Sequence, residues 1–262
     1  MRQRVISAVI ALLISVPLVL LGGIYFKFFV LVIGILGLKE LLDAKGSIPV
    51  YIKYISYLLY SLFIIDGIFL VSNEFSVNLN LVLLTLLVSL FPLLMFHNDR
   101  KYNIEDAFYL FSSIIFLSIV FNLFVIVREM SLYLIIYLFL ITTMTDTFAY
   151  FGGSKFGKNK LLPSISPNKT VEGFAIGLTL GTLVSTLFYY FVIGNTNVVL
   201  LIILTAVLSI VGQFGDLVFS AIKRHYKLKD FSNIMPGHGG ILDRLDSIIF
   251  VLMVFIILIK YF

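Results

Sequence analysis

Acidic and basic side chains gather between residues 216 and 246 of a chain that is otherwise poor in charge. Only 13% of the 262 residues are charged, whereas 60% are hydrophobic. Asp243 and Asp246 lie three residues apart and would share one face of a helix. Carboxylate oxygens suit magnesium, and a bound divalent ion can bridge phosphate oxygens. The segment therefore predicts a metal–polyphosphate site. Its predicted metal ligands are Asp216, Asp243 and Asp246, with Lys223, Arg224 and Arg244 as catalytic cations.

Asp216 lies within a polar stripe that follows one face of a predicted helix. Residues at offsets of three and four form this stripe: Gln213, Asp216, Ser220, Lys223 and Arg224. A carboxylate inside an apolar run costs roughly a few kcal/mol unless a cation or water reaches it. The alternative to a metal is therefore an ion pair of Asp216 with Lys223, Arg224 or Arg244. Gly212 and Gly215 indicate either close helix packing or ligand access.

The turn from Pro236 to Gly240 precedes the last apolar run and cannot continue a helix. Backbone N–H groups before a helix N-terminus favour anions, because the helix dipole adds to them. The turn therefore predicts triphosphate contacts from Gly237, His238, Gly239 and Gly240. The alternative is an ordinary loop with a solvated histidine.

A second polar segment, residues 146–173, is rich in glycine and lysine. Gly152, Gly157 and Lys158 nearly spell a P-loop, but Asn159 replaces Ser or Thr and a helix precedes it, so that match is rejected. Lys169 is the predicted phosphate ligand of this segment. The other three lysines, Lys155, Lys158 and Lys160, could instead anchor the chain at the membrane surface. Thr170 and Glu172 could instead cap a helix. A stripe of Gly173, Gly177 and Gly181 predicts close helix packing, inside the subunit or across a dimer.

The rest of the chain predicts an all-α polytopic integral membrane protein. Mean hydropathy is +1.09, and apolar runs long enough to cross a bilayer recur along the sequence. We predict nine spans, at residues 5–21, 24–42, 51–71, 79–96, 107–127, 132–151, 171–193, 198–221 and 241–260. Residues 1–130 would form a scaffold of about five spans. Residues 131–262 would form the catalytic region, with four spans and two polar loops.

Basic residues are distributed unequally between the two predicted sides of the membrane. With nine spans, Lys27, Arg128 and Lys260 alone among the 19 basic residues fall on the side opposite the N-terminus. The positive-inside rule then predicts a cytoplasmic N-terminus, an external C-terminus and polar loops that face the cytoplasm from the cell membrane. The net charge of +5 is explained by this orientation and by anionic lipid, and not by nucleic-acid binding.

Cysteine is absent, which excludes disulfides, thiolate ligands and a cysteine nucleophile. His97, His225 and His238 lie far apart in sequence, so a zinc site is not expected. A metal in this chain would bind oxygen ligands, which favours magnesium or calcium.

Both polar segments resemble the signatures of the phosphatidate cytidylyltransferases, also called CDP-diacylglycerol synthases. The first signature is matched with its spacing intact by Ser220, Lys223, Arg224, Lys229, Asp230, Pro236, His238, Gly239, Gly240, Asp243, Arg244 and Asp246. The second is matched by Asp146, Thr147, Ala149, Tyr150, Gly157, Ser166, Pro167, Lys169, Thr170, Glu172 and Gly173. Met235 stands where the family more often has Leu, Ile or Phe. The motifs are highly specific, whereas the preceding spans match only in being polytopic.

The resemblance implies conversion of CTP and phosphatidic acid into CDP-diacylglycerol and pyrophosphate, with magnesium, and thus a role in phospholipid biosynthesis. It further implies metal ligation by Asp216 and Asp243, a monovalent cation such as potassium nearby, and commonly a homodimer. We expect substrate binding by Asp146, Ser166, Lys169, Thr170, Glu172, Ser220, Lys229, Asp230, Gly237, His238, Gly239 and Gly240.

The chemistry of this reaction suits the residues. The phosphate of phosphatidate is largely dianionic at neutral pH and can attack without a general base. Two other functions stay open from the sequence. A CTP-dependent lipid or polyprenol kinase would also use magnesium and a membrane-bound acceptor. An ion-coupled transporter could place carboxylates near broken helices, although it should show two symmetric halves, which the sequence lacks.

Overall fold

Helices account for most of the computed structural model, which describes residues 2–67, 78–96, 102–194 and 197–261. Ten α-helices occur within these ranges: α1 Arg2–Leu21, α2 Gly23–Lys45, α3 Val50–Ile65, α4 Leu79–Leu90, α5 Pro92–Met95, α6 Ile104–Met130, α7 Leu132–Phe156, α8 Val171–Phe188, α9 Val198–His225 and α10 Leu242–Leu258. A π-helical turn, Tyr189–Ile193, extends α8, and a 3₁₀ turn, Ile259–Tyr261, extends α10. His97 and the end of the third predicted span lie outside the described residues.

Each of the nine predicted apolar runs overlaps helical structure in the described part of the chain, and the run 79–96 contains two helices, α4 and α5. Four helical segments are long and apolar enough to cross a membrane: Ile104–Met130, Leu132–Phe156, Val171–Ile193 and Val198–His225. Shorter apolar helices accompany them at Ile6–Leu21, Val50–Ile65 and Leu79–Met95. The all-α membrane-protein class is therefore confirmed, while the number of crossings and the sides of the termini stay predictions.

The chain divides into two compact units. The first comprises Met1–Glu129 and Asp230–Asp243, and the second comprises Met130–Lys229 and Arg244–Phe262. The loop before α10 therefore belongs with the N-terminal helices, although it lies more than a hundred residues further along the sequence. The functional division into a scaffold and a catalytic region stays a prediction.

In the first unit, polar contacts fix the ends of apolar helices. Arg128 donates from Nε to the carbonyl of Val19 (2.6 Å) and from Nη2 to that of Leu20 (3.0 Å). These carbonyls end α1, where a cation is favourable because the helix dipole is negative there. At the end of α2, Lys45 forms an ion pair with Asp106 at 3.2 Å.

In the second unit, α7 and α8 pack closely because α8 presents glycines to α7. A Cβ atom on Gly177 would lie 2.7 Å from both the carbonyl oxygen of Thr145 and the Cβ of Ala149. Gly181 faces Thr145 in the same way, one turn further along. The predicted glycine stripe therefore packs inside the subunit. Gly215 plays the same part between α9 and α10, where an added Cβ would lie 2.8 Å from the Phe250 ring.

A small β-hairpin joins α7 to α8, where the sequence predicted only a loop. Strand β1, Lys160–Leu162, pairs antiparallel with β2, Ser166–Thr170. Helix α7 also runs on to Phe156, five residues past its predicted end, so Gly152 and Gly153 are helical. The hairpin places Lys169 on a strand, next to the start of α8.

The glycine packing gives a test of stability. Replacing Gly177 with leucine should destabilise the protein by about 1–3 kcal/mol, because the side chain overfills the contact between α7 and α8. Thermal unfolding in detergent would measure the loss as a lower transition midpoint. Ala175→Leu is the matched control, since Ala175 is exposed on the same helix; an equal loss in both variants would contradict the packing role of Gly177.

Candidate functional site

An ion pair joins the two polar segments inside the second unit. Lys169 Nζ on β2 lies 2.6 Å from Asp216 Oδ2 on α9. Both side chains are half-buried, with 28% and 26% of their surfaces exposed. Ser220, one turn further along α9, donates its hydroxyl to Asp216 Oδ1 at 3.2 Å. Asp216 is therefore ion-paired, as the alternative to a metal supposed, and Lys169 of β2, which that alternative did not name, supplies a cation.

Two further carboxylates interact with Asp216 inside the same unit. The Asp216 carboxylate interacts electrostatically with Asp146 on α7 and with Asp246 on α10. The positive charge of Lys223 partly offsets the charge of Asp246. Ser247 on α10 links this helix to α7, because its side chain hydrogen-bonds Asp146. Its backbone N–H donates to Asp246 at 2.7 Å. We call Asp146, Asp216 and Asp246 the acidic cluster. Helices α7, α9 and α10 and strand β2 together position it.

The basic end of α9 is divided between the acidic cluster and the loops around it. Lys223 is buried, whereas Arg224 is exposed and turns to backbone carbonyls, donating to Ile165 at 3.3 Å and to Leu228 at 2.9 Å. Arg224 thus holds the hairpin tip. The predicted site residues Lys229, Asp230 and Arg244 are exposed.

Thr170 and Glu172 organise the chain around the start of α8. The Thr170 hydroxyl accepts from the Gly173 N–H at 3.1 Å and caps the helix. Glu172 accepts from the backbone N–H of Lys158 (3.0 Å) and from the side-chain amide of Asn159 (2.8 Å). The alternative role as a helix cap is therefore present for Thr170, while Glu172 closes the turn after α7. Ser166 begins β2, opposite Leu162.

The loop of residues 231–242, which we call the signature loop, belongs to the first unit. Its turn is closed by two backbone bonds, from Met235 N to Gly239 O at 3.0 Å and from His238 N to Met235 O at 2.8 Å. Gly237 and Gly239 have φ values of +79° and +83°, which favour glycine. The sequence therefore needs glycine at both positions to make this turn.

Carboxylates already occupy the N–H of Gly240, which was expected to meet a triphosphate, and three other N–H groups of this region. Asp243 Oδ2 accepts from Phe231 N and from Gly240 N, both at 2.9 Å. Glu40, on α2, accepts from Ile241 N at 2.8 Å and from Leu242 N at 2.9 Å. A phosphate contact with these particular groups would compete with bonds inside the protein. The metal role predicted for Asp243 stays a prediction.

Glu40, Ser232, Ser247 and Ser7 are polar contacts of the two segments that sequence reasoning missed. Glu40 carried a signal, since a carboxylate beside Leu41 and Leu42 near the end of an apolar run needs buried donors. The three serines carried none, because a hydroxyl is common in membrane helices and loops.

Comparison with known proteins assigns the chain to a family. The model of the cytidylyltransferase family matches residues 2–262, so the chain belongs to that family. It is 40% identical over 255 residues to the phosphatidate cytidylyltransferase of Staphylococcus haemolyticus (strain JCSC1435), covering 96% of each chain. The phosphatidate cytidylyltransferase of Staphylococcus aureus (strain COL) is 38% identical over 256 residues, with the same coverage. The resemblance noted from the two signatures is thereby confirmed over nearly the whole chain.

The Glu172 contacts give a test by proteolysis. Replacing Glu172 with glutamine puts an amide donor among N–H donors, so the turn at residues 157–160 should open more often. Trypsin should then cut faster after Lys158 or Lys160 in the detergent-solubilised protein. Glu105 is an exposed carboxylate in the first turn of α6, and trypsin should cut the Glu105→Gln variant at the rate of the unsubstituted protein. Equal cutting of both variants would argue against the Glu172 contacts.

Proposed function

We propose that the chain transfers CMP from CTP to phosphatidate, giving CDP-diacylglycerol and pyrophosphate. The contact between Lys169 and Asp216 carries the proposal, because it brings charged residues of both polar segments to one place. The names of the relatives, each covered over 96% of its length, support the same substrate pair. The four long apolar helices suit an enzyme whose acceptor carries acyl chains.

The bond changes in this reaction are simple. A phosphate oxygen of phosphatidate bonds to the α-phosphorus of CTP. The bond from that phosphorus to the oxygen that it shares with the β-phosphorus breaks, which releases pyrophosphate. The attacking dianion needs no general base. What it needs is in-line alignment and neutralisation of charge between two anionic substrates.

Magnesium suits the oxygen ligands of the second unit. Among the residues that the structure describes, no three or more His, Cys, Asp or Glu side chains form a ready-made metal site. Magnesium commonly takes only one or two carboxylates and completes its shell with water and substrate phosphates. We propose Asp216 and Asp246 as ligands, and Asp243 stays a predicted ligand. Bound magnesium would neutralise phosphate charge and hold the triphosphate in line.

Lys169 offsets the charge of Asp216 through their ion pair. In the proposed complex its ammonium group turns to substrate phosphate, since a metal would then satisfy Asp216. Lys223, buried near Asp246, keeps that carboxylate compensated.

The remaining predictions fit this scheme. We propose a multi-pass enzyme of the cell membrane, with nine spans, a cytoplasmic N-terminus, an external C-terminus and an active site that faces the cytoplasm. A monovalent cation near the site and a homodimer are proposed by resemblance alone. The proposed substrate contacts are those predicted from the two signatures, with Arg224 and Glu172 acting on the surrounding loops as well.

The leaving group distinguishes the proposed reaction from lipid phosphorylation. Purified protein, CTP labelled in the cytosine ring, phosphatidate and magnesium in detergent micelles should give a labelled lipid and one pyrophosphate for each lipid formed. Release of CDP with an unlabelled, phosphorylated lipid would instead identify a CTP-dependent kinase. Absence of label in the lipid fraction would refute the proposed function.

Substitution of the ion pair tests the site. Asp216→Asn should lower CDP-diacylglycerol formation by at least about 100-fold, the upper end of what loss of a group supporting a metal costs. Lys169→Met should lower it by about 10- to 100-fold. Asp43→Asn is the control, because Asp43 pairs with Lys53 at 2.5 Å in an exposed contact of the first unit. Near-normal turnover of Asp216→Asn would contradict the assignment.

A further inference from the structure

Glu40 is a buried carboxylate whose hydrogen bonds all reach the signature loop. Only 1% of its surface is exposed. Its Oε1 accepts from the Ser232 hydroxyl at 2.6 Å and from Ile241 N at 2.8 Å, and its Oε2 accepts from Leu242 N at 2.9 Å. The donors stand at both ends of the loop. One side chain of α2 therefore closes the loop into a ring.

The position of this carboxylate explains why it can stay buried. Leu242 begins α10, and the first N–H groups of a helix lack partners within it. The positive end of the helix dipole favours an anion at this place, as it would favour a phosphate. Glu40 thus supplies an internal anion at the N-terminus of α10. Gly240 leaves room for it, since an added Cβ would meet the Glu40 carboxylate.

A second contact holds the tip of the same loop. Ser7 on α1 donates its hydroxyl to the carbonyl of Pro236 at 3.1 Å and lies 2.8 Å from His238 Nδ1. Asp243, in the first turn of α10, accepts from two N–H groups of the loop, Phe231 N and Gly240 N. The orientation of Asp243 therefore depends on a loop whose two ends and tip are held by α1 and α2.

We propose that Glu40 is a positioning residue for cytidylyl transfer: it fixes the signature loop, and through the loop it fixes Asp243, in the geometry that the metal–triphosphate complex requires. This inference rests on the proposed function, in which Asp243 is a metal ligand. Groups that orient a ligand from outside the first coordination shell typically change metal affinity or activity by about 10- to 100-fold.

The kinetic test compares two carboxylates of the same helix. Glu40→Gln keeps the shape of the side chain but replaces one acceptor oxygen with a donor that faces N–H groups. It should raise the magnesium concentration for half-maximal activity by about 10-fold or more. The KM for phosphatidate should stay unchanged, because the loop contacts do not involve the lipid in this scheme. Asp43→Asn, which leaves the loop untouched, should match the unsubstituted protein.

A label gives a readout that does not depend on activity. The chain has no cysteine, so Asn233→Cys introduces a single exposed site in the loop for a nitroxide spin label. Without metal or nucleotide, the label should become more mobile in Glu40→Gln and stay unchanged in Asp43→Asn. A label at Asn80→Cys, exposed on α4, should report equal mobility in all three backgrounds and so exclude general loosening of the fold.

The outcomes separate the two proposals. Unchanged mobility of the label at residue 233 in Glu40→Gln would show that Glu40 does not hold the loop. Increased mobility with unchanged magnesium dependence would show that Glu40 has no positioning role in the reaction. Failure of the proposed function would show differently, as no CDP-diacylglycerol from the unsubstituted protein. Should Glu40→Gln not fold, Ser232→Ala removes one of the three donors without burying an unpaired charge, and the same shifts should appear at smaller size.

Discussion

A carboxylate among apolar helices needs hydrogen-bond donors or a counter-charge, and the polar parts of this chain are arranged around that need. Asp216 has a counter-charge in Lys169 and a donor in Ser220, and Asp106 has a counter-charge in Lys45. Glu40 accepts hydrogen bonds from a hydroxyl and two backbone N–H groups. Each solution joins elements that are distant in sequence. The need to satisfy charge therefore connects distant parts of the chain.

Much of the helical framework could be predicted from sequence, because hydropathy depends on composition over some 20 residues and needs no knowledge of packing. Lys169 and Asp216 could also be singled out from the sequence as candidate site residues, since charged side chains have few structural uses in an apolar setting. Their pairing could not be predicted. Which cation reaches Asp216 depends on a hairpin that only tertiary structure defines. Arg224, although nearer to Asp216 in sequence than Lys169 is, donates to backbone carbonyls instead.

The parts that escaped prediction share a physical cause. A three-residue strand such as Lys160–Leu162 is too short to show alternation, and its partner contains Pro167, which argues against a strand. The extension of α7 through Gly152 and Gly153 runs against glycine's low helix propensity. In both places, packing against α8 outweighs local preference, and local preference is all that a single sequence displays.

The separation of the contacting residues along the chain sets an order in which the molecule can be completed. Contacts between α7 and α8 are local and can form as soon as both helices have been synthesised. The bonds from Glu40 to Ser232 and Leu242 span 192 and 202 residues, and that from Ser7 spans 231. During synthesis, Glu40 cannot meet its last donor until Leu242 has been made. The signature loop thus becomes ordered after the N-terminal helices that hold it have been made, and until then Glu40 lacks the three donors that the loop supplies.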